Sequence, residues 1–206
     1  MPTPTPTPTS PILTSTPRLH ISLLSPTPTH STFLHHLWTS PDFTTSCGPS
    51  PFKTSDDATA FLTNRLQSIY TTSNYQRGIF LLSRRPHPTA PLAGSVPIGT
   101  ISLMQGAPPD GYSVPDIGFS VLPEESGRGY ATEAGRAMVE YACTELGVDG
   151  VFGFCDVDNA RSRRVLEKIG LEFRGERALK VFGGKRSAAY ALPGMAKDLG
   201  VYGVEG

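Results

Sequence analysis

The pattern of apolar and polar positions divides the chain into short periodic segments. Residues 18–24 alternate between apolar and polar side chains, which predicts a half-buried strand. Residues 29–40 change to a helical period, with an apolar face formed by Phe33, Leu34, Leu37 and Trp38. A loop rich in Pro, Ser and Thr follows. Residues 55–70 predict a second helix, with Ser55 as N-cap and a stripe formed by Ala58, Phe61, Leu62, Leu66 and Ile69.

Strand and helix patterns alternate through the rest of the chain. Strands are predicted over residues 78–83, 96–104, 115–122 and 150–157, with a closing antiparallel pair over 171–182 and 187–192. Helices are predicted over residues 130–146 and 158–170, the second with Asp158 as N-cap and Gly170 at its left-handed end. This order predicts an α/β (α+β) domain, in which a mixed, curved sheet carries helices on its faces.

Composition narrows the range of partners. The 206 residues carry 18 Lys and Arg against 18 Asp and Glu, so charge gives no argument for nucleic acid or an anionic membrane. No apolar run approaches the roughly 20 residues that span a bilayer. Cys47, Cys143 and Cys155 match neither a metal-site nor a disulfide spacing. We therefore expect a cytoplasmic protein without a bound metal, a nucleic-acid partner or a membrane partner.

The two ends of the chain predict tails around one domain. Alternating Pro and Thr near the N-terminus neither buries apolar surface nor supplies a full set of backbone donors. Residues 1–16 are therefore interpreted as a disordered tail, residues 17–197 as a single domain and residues 198–206 as a second tail. The first residues also lack the basic start and apolar core of a signal peptide.

The stretch SGRGYAT, residues 126–132, joins a predicted strand to a predicted helix. Its two glycines allow close approach of the backbone, and a helix N-terminus offers N–H donors and a positive dipole end to a phosphate. An ordinary turn remains the alternative for so short a motif. The spacing of a nucleotide P-loop is missing, and Thr132 stands where a dinucleotide fingerprint needs a third Gly or Ala, which disfavours a dinucleotide-binding oxidoreductase.

Two motifs in order resemble the acetyl-CoA-binding half of a GNAT-superfamily N-acetyltransferase, nearest the RimJ/RimL branch. The family loop Gln/Arg-x-x-Gly-x-Gly/Ala is matched at Gly129 and Ala131, and YATEA continues it as in that branch. The second motif, NARSRRVLEKIGL, follows at residues 159–171. The resemblance covers roughly residues 17–195 and is strongest over 115–177. It implies a GNAT-like fold with a splayed sheet of about 6–7 strands.

The resemblance also implies roles for individual residues. The cofactor would be acetyl-CoA, held by Val121, Leu122, Gly127, Arg128, Gly129, Tyr130, Ala131, Thr132, Asn159 and Ser162. Val121 and Leu122 would pair through their backbone with the pantetheine arm, and an N–H near Leu122 would stabilise the oxyanion. Asp116 would be the catalytic base, acting through a water molecule because Asp is shorter than the Glu of some relatives.

Two departures from the family keep alternatives open. Ser126 replaces the usual Gln or Arg of the loop, and Leu166 stands where many relatives have a Tyr that protonates the leaving thiol. The implied function is direct acetyl transfer, in a ternary complex, to an amine of a small molecule or a peptide N-terminus, by a monomer or homodimer. The alternative is a non-catalytic GNAT protein that binds CoA or a partner.

Overall fold

Eight strands form a mixed sheet in the computed structural model, which describes residues 10–106 and 111–204. The strands are β1 (Ile12–Ser15), β2 (Leu19–Leu23), β3 (Gly78–Arg84), β4 (Val96–Met104), β5 (Asp116–Val121), β6 (Phe152–Asp156), β7 (Glu172–Leu179) and β8 (Lys185–Ala191). Their order is β1-β2-β3-β4-β5-β6-β8-β7. The predicted class is confirmed, with eight strands in place of about 6–7.

All of the helices except α2 lie in segments where a helical period was predicted. They are α1 (Pro28–Thr39), α2 (Pro41–Cys47), α3 (Ser55–Ala60), α4 (Gln67–Thr72), α5 (Tyr130–Thr144) and α6 (Ala160–Lys168). A π-helical segment, Phe61–Leu66, joins α3 to α4. No helix in the described part of the chain is long and apolar enough to cross a membrane. Contacts divide the chain into a unit of residues 1–100 and 120–126 and a unit of residues 101–119 and 127–206.

The first unit contains the helical region predicted before β3. Leu34 and Leu37 of α1 are fully buried, as is Leu66 in the π-helical segment. The N-cap of α3 is Thr54, one residue before the predicted Ser55, because Thr54 and Asp57 exchange the two hydrogen bonds of a capping box. The segment predicted as a loop contains α2, which starts with a Ser40 N-cap followed by Pro41.

The predicted boundary of the N-terminal tail is wrong. Ile12–Ser15 form β1, which pairs antiparallel with β2. The Ser15 hydroxyl lies 2.7 Å from His20 Nδ1, and Leu23 donates its N–H to the Pro11 carbonyl over 2.8 Å. The Leu23–Pro11 bond and the β1–β2 ladder satisfy backbone groups along the edge of β2, and the Ser15–His20 bond adds a side-chain link. This gain was not visible in the composition of the segment. Residues 1–9 lie outside the described part of the chain.

The second unit contains the most regular part of the sequence. Ala134, Met138 and Ala142 of α5 are fully buried, as their spacing predicts. Gly135 of α5 faces Ile169, with only 2.8 Å between a Cβ built on the glycine and the Ile169 side chain. A side chain at position 135 would therefore displace the Ile169 side chain at the end of α6, and the glycine permits this close contact.

The predicted C-terminal tail is also corrected. Leu199–Tyr202 form a 3-10 turn capped by the Asp198 side chain. Leu199 and Val204 are each 2% exposed and belong to an apolar cluster with Tyr112 and Phe152. Burying these two apolar side chains stabilises the segment against the domain, so it is part of the second unit.

Candidate functional site

The two glycines of the loop before α5 adopt a left-handed conformation. Gly127 and Gly129 have φ angles of 77° and 82°, in the left-handed region that other residues rarely adopt. Gly129 is the N-cap of α5, and within the described residues no side chain caps this helix. The first hydrogen bond of the helix runs from the Glu133 N–H to the Gly129 carbonyl, 3.0 Å. The N-terminal end of α5 therefore presents backbone donors at an exposed loop.

The space beside Gly127 is open. Among the described residues, no atom apart from those of its two chain neighbours lies within 4 Å of a Cβ built on Gly127. Gly127, Arg128 and Gly129 are exposed, whereas Tyr130 is 8% exposed and anchors the first turn. Upstream, Ser126 donates its hydroxyl to the Leu122 carbonyl at 3.2 Å. Ser126 thus stabilises its own turn, a role that does not require the Gln or Arg of the family pattern.

Strands β5 and β6 pair over a short distance only. Their parallel register contains Asp116 opposite Phe152 and Ile117 opposite Gly153. On its other edge, β6 pairs with β8 along its whole length, from Phe152 opposite Ala191 to Asp156 opposite Ser187. The second half of β5 is therefore not paired with β6 in the described register. This is the splayed strand pair that the resemblance implied.

The backbone groups of successive β5 residues point alternately toward β6 and toward β4. The Phe152 N–H donates to the Pro115 carbonyl at 2.9 Å, so odd-numbered residues of β5 direct their backbone groups toward β6. The Leu122 N–H donates instead to the Ile98 carbonyl of β4, also at 2.9 Å. The backbone groups of Val121 point toward β6, as a contact with the pantetheine arm requires. The Leu122 amide points toward β4, which corrects its assignment as oxyanion donor. Phe119, whose backbone groups point toward β6, is a candidate donor that the sequence analysis missed.

Asp116 begins β5 and is partly buried. Burial raises the pKa of its carboxyl to about 7, because a charge loses its hydration there. Burial, with the nearby negative charge of Asp116, also raises the pKa of Tyr112 to about 12. A carboxyl that titrates near neutral pH has the proton affinity that a general base needs.

The N-terminus of α6 is capped by Asn159 and not by the predicted Asp158. The Asn159 side-chain oxygen accepts the N–H of Ser162 at 3.0 Å. Because β5 and β6 are parallel, the chain leaves both strands at the same edge of the sheet, and α5 and α6 begin there. Gly170, with a φ of 97°, follows α6 in the left-handed conformation that was predicted.

Two residues near α6 lack the properties of catalytic groups. Leu166, at the position of the family's tyrosine, is 1% exposed and packs where a side chain on Gly153 would collide with it. Burial raises the pKa of the Cys155 thiol to about 11, so this thiol is protonated at neutral pH and a poor nucleophile. In the described ranges, no cluster of three or more His, Cys, Asp or Glu residues is placed to hold a metal ion.

The structure places most of the predicted site in one unit. The second unit contains Asp116, the loop residues from Gly127 to Thr132, Asn159 and Ser162, whereas the first contains Val121 and Leu122.

A family sequence model described as an acetyltransferase (GNAT) domain matches residues 18–172. The chain belongs to the GNAT family.

Curated GNAT relatives match short segments. Over 60 residues the chain is 35% identical to YnaD of Bacillus subtilis, an uncharacterized N-acetyltransferase. This match covers 29% of this chain and 35% of that protein. Over 56 residues the chain is 45% identical to an FsC-acetyl coenzyme A-N(2)-transacetylase of Aspergillus fumigatus. This match covers 27% of this chain and 24% of that protein. The matches span about a third and a quarter of these relatives.

Solved structures share the GNAT fold over most of the chain. An acetyltransferase of Agrobacterium tumefaciens superposes with a TM-score of 0.66 at 20% identity, over 89% of this chain and 94% of that one. The acetyltransferase MccE, in complex with acetyl-CoA and AMP, gives a TM-score of 0.61 at 16% identity, over 84% and 91%. At these identities the likeness shows the fold.

Proposed function

We propose that this GNAT protein is an acetyl-CoA-dependent N-acetyltransferase that acts on a primary amine of a small molecule or a peptide N-terminus. The observation that carries the proposal is the glycine loop before α5, which has two left-handed glycines and a helix end without a side-chain cap among the described residues. Such an end attracts phosphate. A CoA-binding protein without activity is the alternative, and the buried Leu166 is compatible with it.

The chain's residues fit acetyl-CoA. The backbone of Gly127, Arg128, Gly129, Tyr130, Ala131 and Thr132 would hold the pyrophosphate, since the space beside Gly127 is open within the described residues. Val121 would contact the pantetheine arm through its backbone. Asn159 and Ser162 would contribute at the N-terminus of α6, where Asn159 already caps the helix. The RimJ/RimL motifs quoted above support placement in that branch, with a cytoplasmic monomer or homodimer.

The chemistry assigned to the chain is proton transfer at the acceptor. Bound acetyl-CoA would supply the acetyl group, whose carbon–sulfur bond is exchanged for a carbon–nitrogen bond while the thiol leaves with a proton. Asp116, with a carboxyl pKa of about 7, would take the proton of the amine through a water molecule. Both substrates are bound together in this scheme, because no covalent enzyme intermediate is required.

The experiment measures thiol release and N-acetylated product with acetyl-CoA and a set of primary amines. We expect amine-dependent release, and a kcat that rises with pH through about 7 because the ionised form of Asp116 is the base. Asp116→Asn should lower kcat by about 10–10⁴-fold and remove this rise, while acetyl-CoA affinity is retained. The exposed Asp149, changed to Asn, is the control. Binding of acetyl-CoA without amine-dependent release at any pH would favour the non-catalytic alternative.

A further inference from the structure

A row of aromatic side chains crosses the second unit from its core to its surface. We call Phe152, Tyr112, Phe154 and Phe182 the aromatic ladder. The ring centroids of Phe152 and Tyr112 are 5.7 Å apart, and those of Tyr112 and Phe154 are 5.4 Å apart. Phe154 and Phe182 meet edge-on at 6.0 Å. Exposure increases from 0% at Phe152 to 48% at Phe182, so the ladder connects the interior with solvent.

The inner end of the ladder lies beside Asp116. Asp116 is the register partner of Phe152 across the β5–β6 pair, and its charge acts on the Tyr112 hydroxyl. That hydroxyl is buried and has no hydrogen-bond partner among the described residues. The proposed base and a buried hydroxyl that lacks a partner among the described residues therefore adjoin the same aromatic rings.

Charges around the ladder point to a ligand with one positive group. Asp156 is paired with Lys185 at 2.7 Å, and Glu176 is paired with Arg186 at 2.6 Å. Asp116 has no cationic partner in the part of the chain that the structure describes. A polycation would need several available carboxylates along its length, whereas of these three carboxyls only Asp116 lacks a cation among the described residues.

The outer end of the ladder exposes apolar surface on the β7–β8 hairpin. Phe182 is 48% exposed and its neighbour Val181 is 42% exposed. Both lie in a 3-10 turn, Lys180–Phe182, which ends at Gly183 in a left-handed conformation. The tip is thus held by its own turn, and adjacent exposed apolar side chains are characteristic of contact with a ligand or a partner.

We propose that the acceptor is a primary amine joined by a short linker to an aromatic or branched apolar group. The amine would lie at Asp116 and the apolar group along Tyr112, Phe154 and Phe182. Aromatic rings bind apolar bodies and, at their faces, a nearby ammonium group. The inference rests on the proposed acetyltransferase function and specifies its acceptor.

The test compares four amines at saturating acetyl-CoA: phenethylamine, isoamylamine, ethanolamine and putrescine. We expect kcat/KM for phenethylamine and isoamylamine to exceed that for ethanolamine and putrescine by at least about tenfold, since the apolar body is desolvated on binding. Phe182→Ala should lower kcat/KM for phenethylamine by about 3–10-fold, mainly through KM, and lower the ethanolamine value by a smaller factor. Val201→Ala, at a residue 65% exposed and outside the ladder, is the matched control and should change neither value.

The outcomes separate this inference from the proposed function. Turnover in which ethanolamine or putrescine is used as well as phenethylamine would overturn the inference and leave the acetyltransferase function intact. Equal losses for all four amines in Phe182→Ala would also overturn it. Dissociation of a dimer by Phe182→Ala with unchanged amine preference would assign the exposed tip to contact between copies of the chain, again against the inference. Acetyl-CoA binding with no turnover of any amine would remove the proposed function itself.

Discussion

At the scale of single residues, burial of Asp116 costs folding free energy and gives its carboxyl a pKa near neutral. Its partial burial disfavours the charged carboxylate and raises the pKa to about 7. The same environment raises the pKa of Tyr112 to about 12, so near neutral pH the tyrosine stays protonated while the carboxyl exchanges its proton. Perturbed groups of this kind concentrate at functional sites because reactivity needs a tuned proton affinity.

The stability cost of Asp116 gives a prediction. Its folded pKa of about 7 is above the reference value of 3.8, so its favourable contribution is present at low pH and is lost as pH rises through about 7. Asp116→Asn should therefore unfold with a larger free energy than the wild type near pH 8, by about 2–4 kcal/mol. The difference should disappear near pH 4. Urea unfolding at both pH values measures it, and a difference independent of pH would show that Asp116 does not carry the cost.

Some of these residue properties could be predicted from the sequence and others could not. The importance of the loop glycines was predictable because a residue without a side chain lets the backbone approach a ligand, whereas their left-handed φ angles were found only in the structure. The cap of α6 was misplaced by one residue because adjacent Asp and Asn can both cap, and the backbone path chooses between them. The direction of the Leu122 amide depends on its bond to Ile98, which only the assembled sheet determines.

At the scale of elements, periodicity located most helices and strands. β4, at Val96–Met104, has the predicted bounds, because a continuous β-rich run was flanked by turn residues. β1 was missed because its short segment follows a Pro–Thr repeat and gains its stability from pairing with β2. The signal for α2 was present, since Ser40, Pro41 and Asp42 are a typical helix start, but the surrounding composition was interpreted as a loop.

Truncation at the N-terminus tests the role of β1. Removal of residues 1–9 should leave the melting temperature unchanged, because Pro–Thr repeats do not bury apolar surface. Removal of residues 1–16 takes away β1 and should lower stability by about 1–3 kcal/mol, since several backbone bonds are lost. At about 2–4 °C per kcal/mol this is a fall of several degrees in a thermal melt. Equal melting temperatures for the two truncated proteins would show that β1 contributes nothing.

At the scale of the whole molecule, the fold followed from two motifs in order and from the alternation of elements. The family match over residues 18–172 includes both motifs, although β8 and the C-terminal segment lie beyond it. The segment at 199–204 was predicted as a tail because its few apolar residues show no period. Leu199 and Val204 are nevertheless buried, because they cover the apolar cluster around Phe152. The proposed acceptor surface depends on contacts between β5, β6 and the β7–β8 hairpin, which no local pattern reveals.

The central claim is that the loop before α5 holds the phosphates of CoA, and calorimetric titration of CoA into two glycine variants tests it most directly. Gly127 and Gly147 both have positive φ angles, 77° and 63°, and open space for a Cβ within the described residues. Each change to Val should therefore cost a similar strain, about 1–2 kcal/mol, and a thermal melt verifies this. Gly127→Val should weaken CoA binding at least about tenfold through lost charge-assisted hydrogen bonds, while Gly147→Val binds as the wild type does. Equal affinities in the two variants, or a wild type that does not bind CoA, would contradict the account.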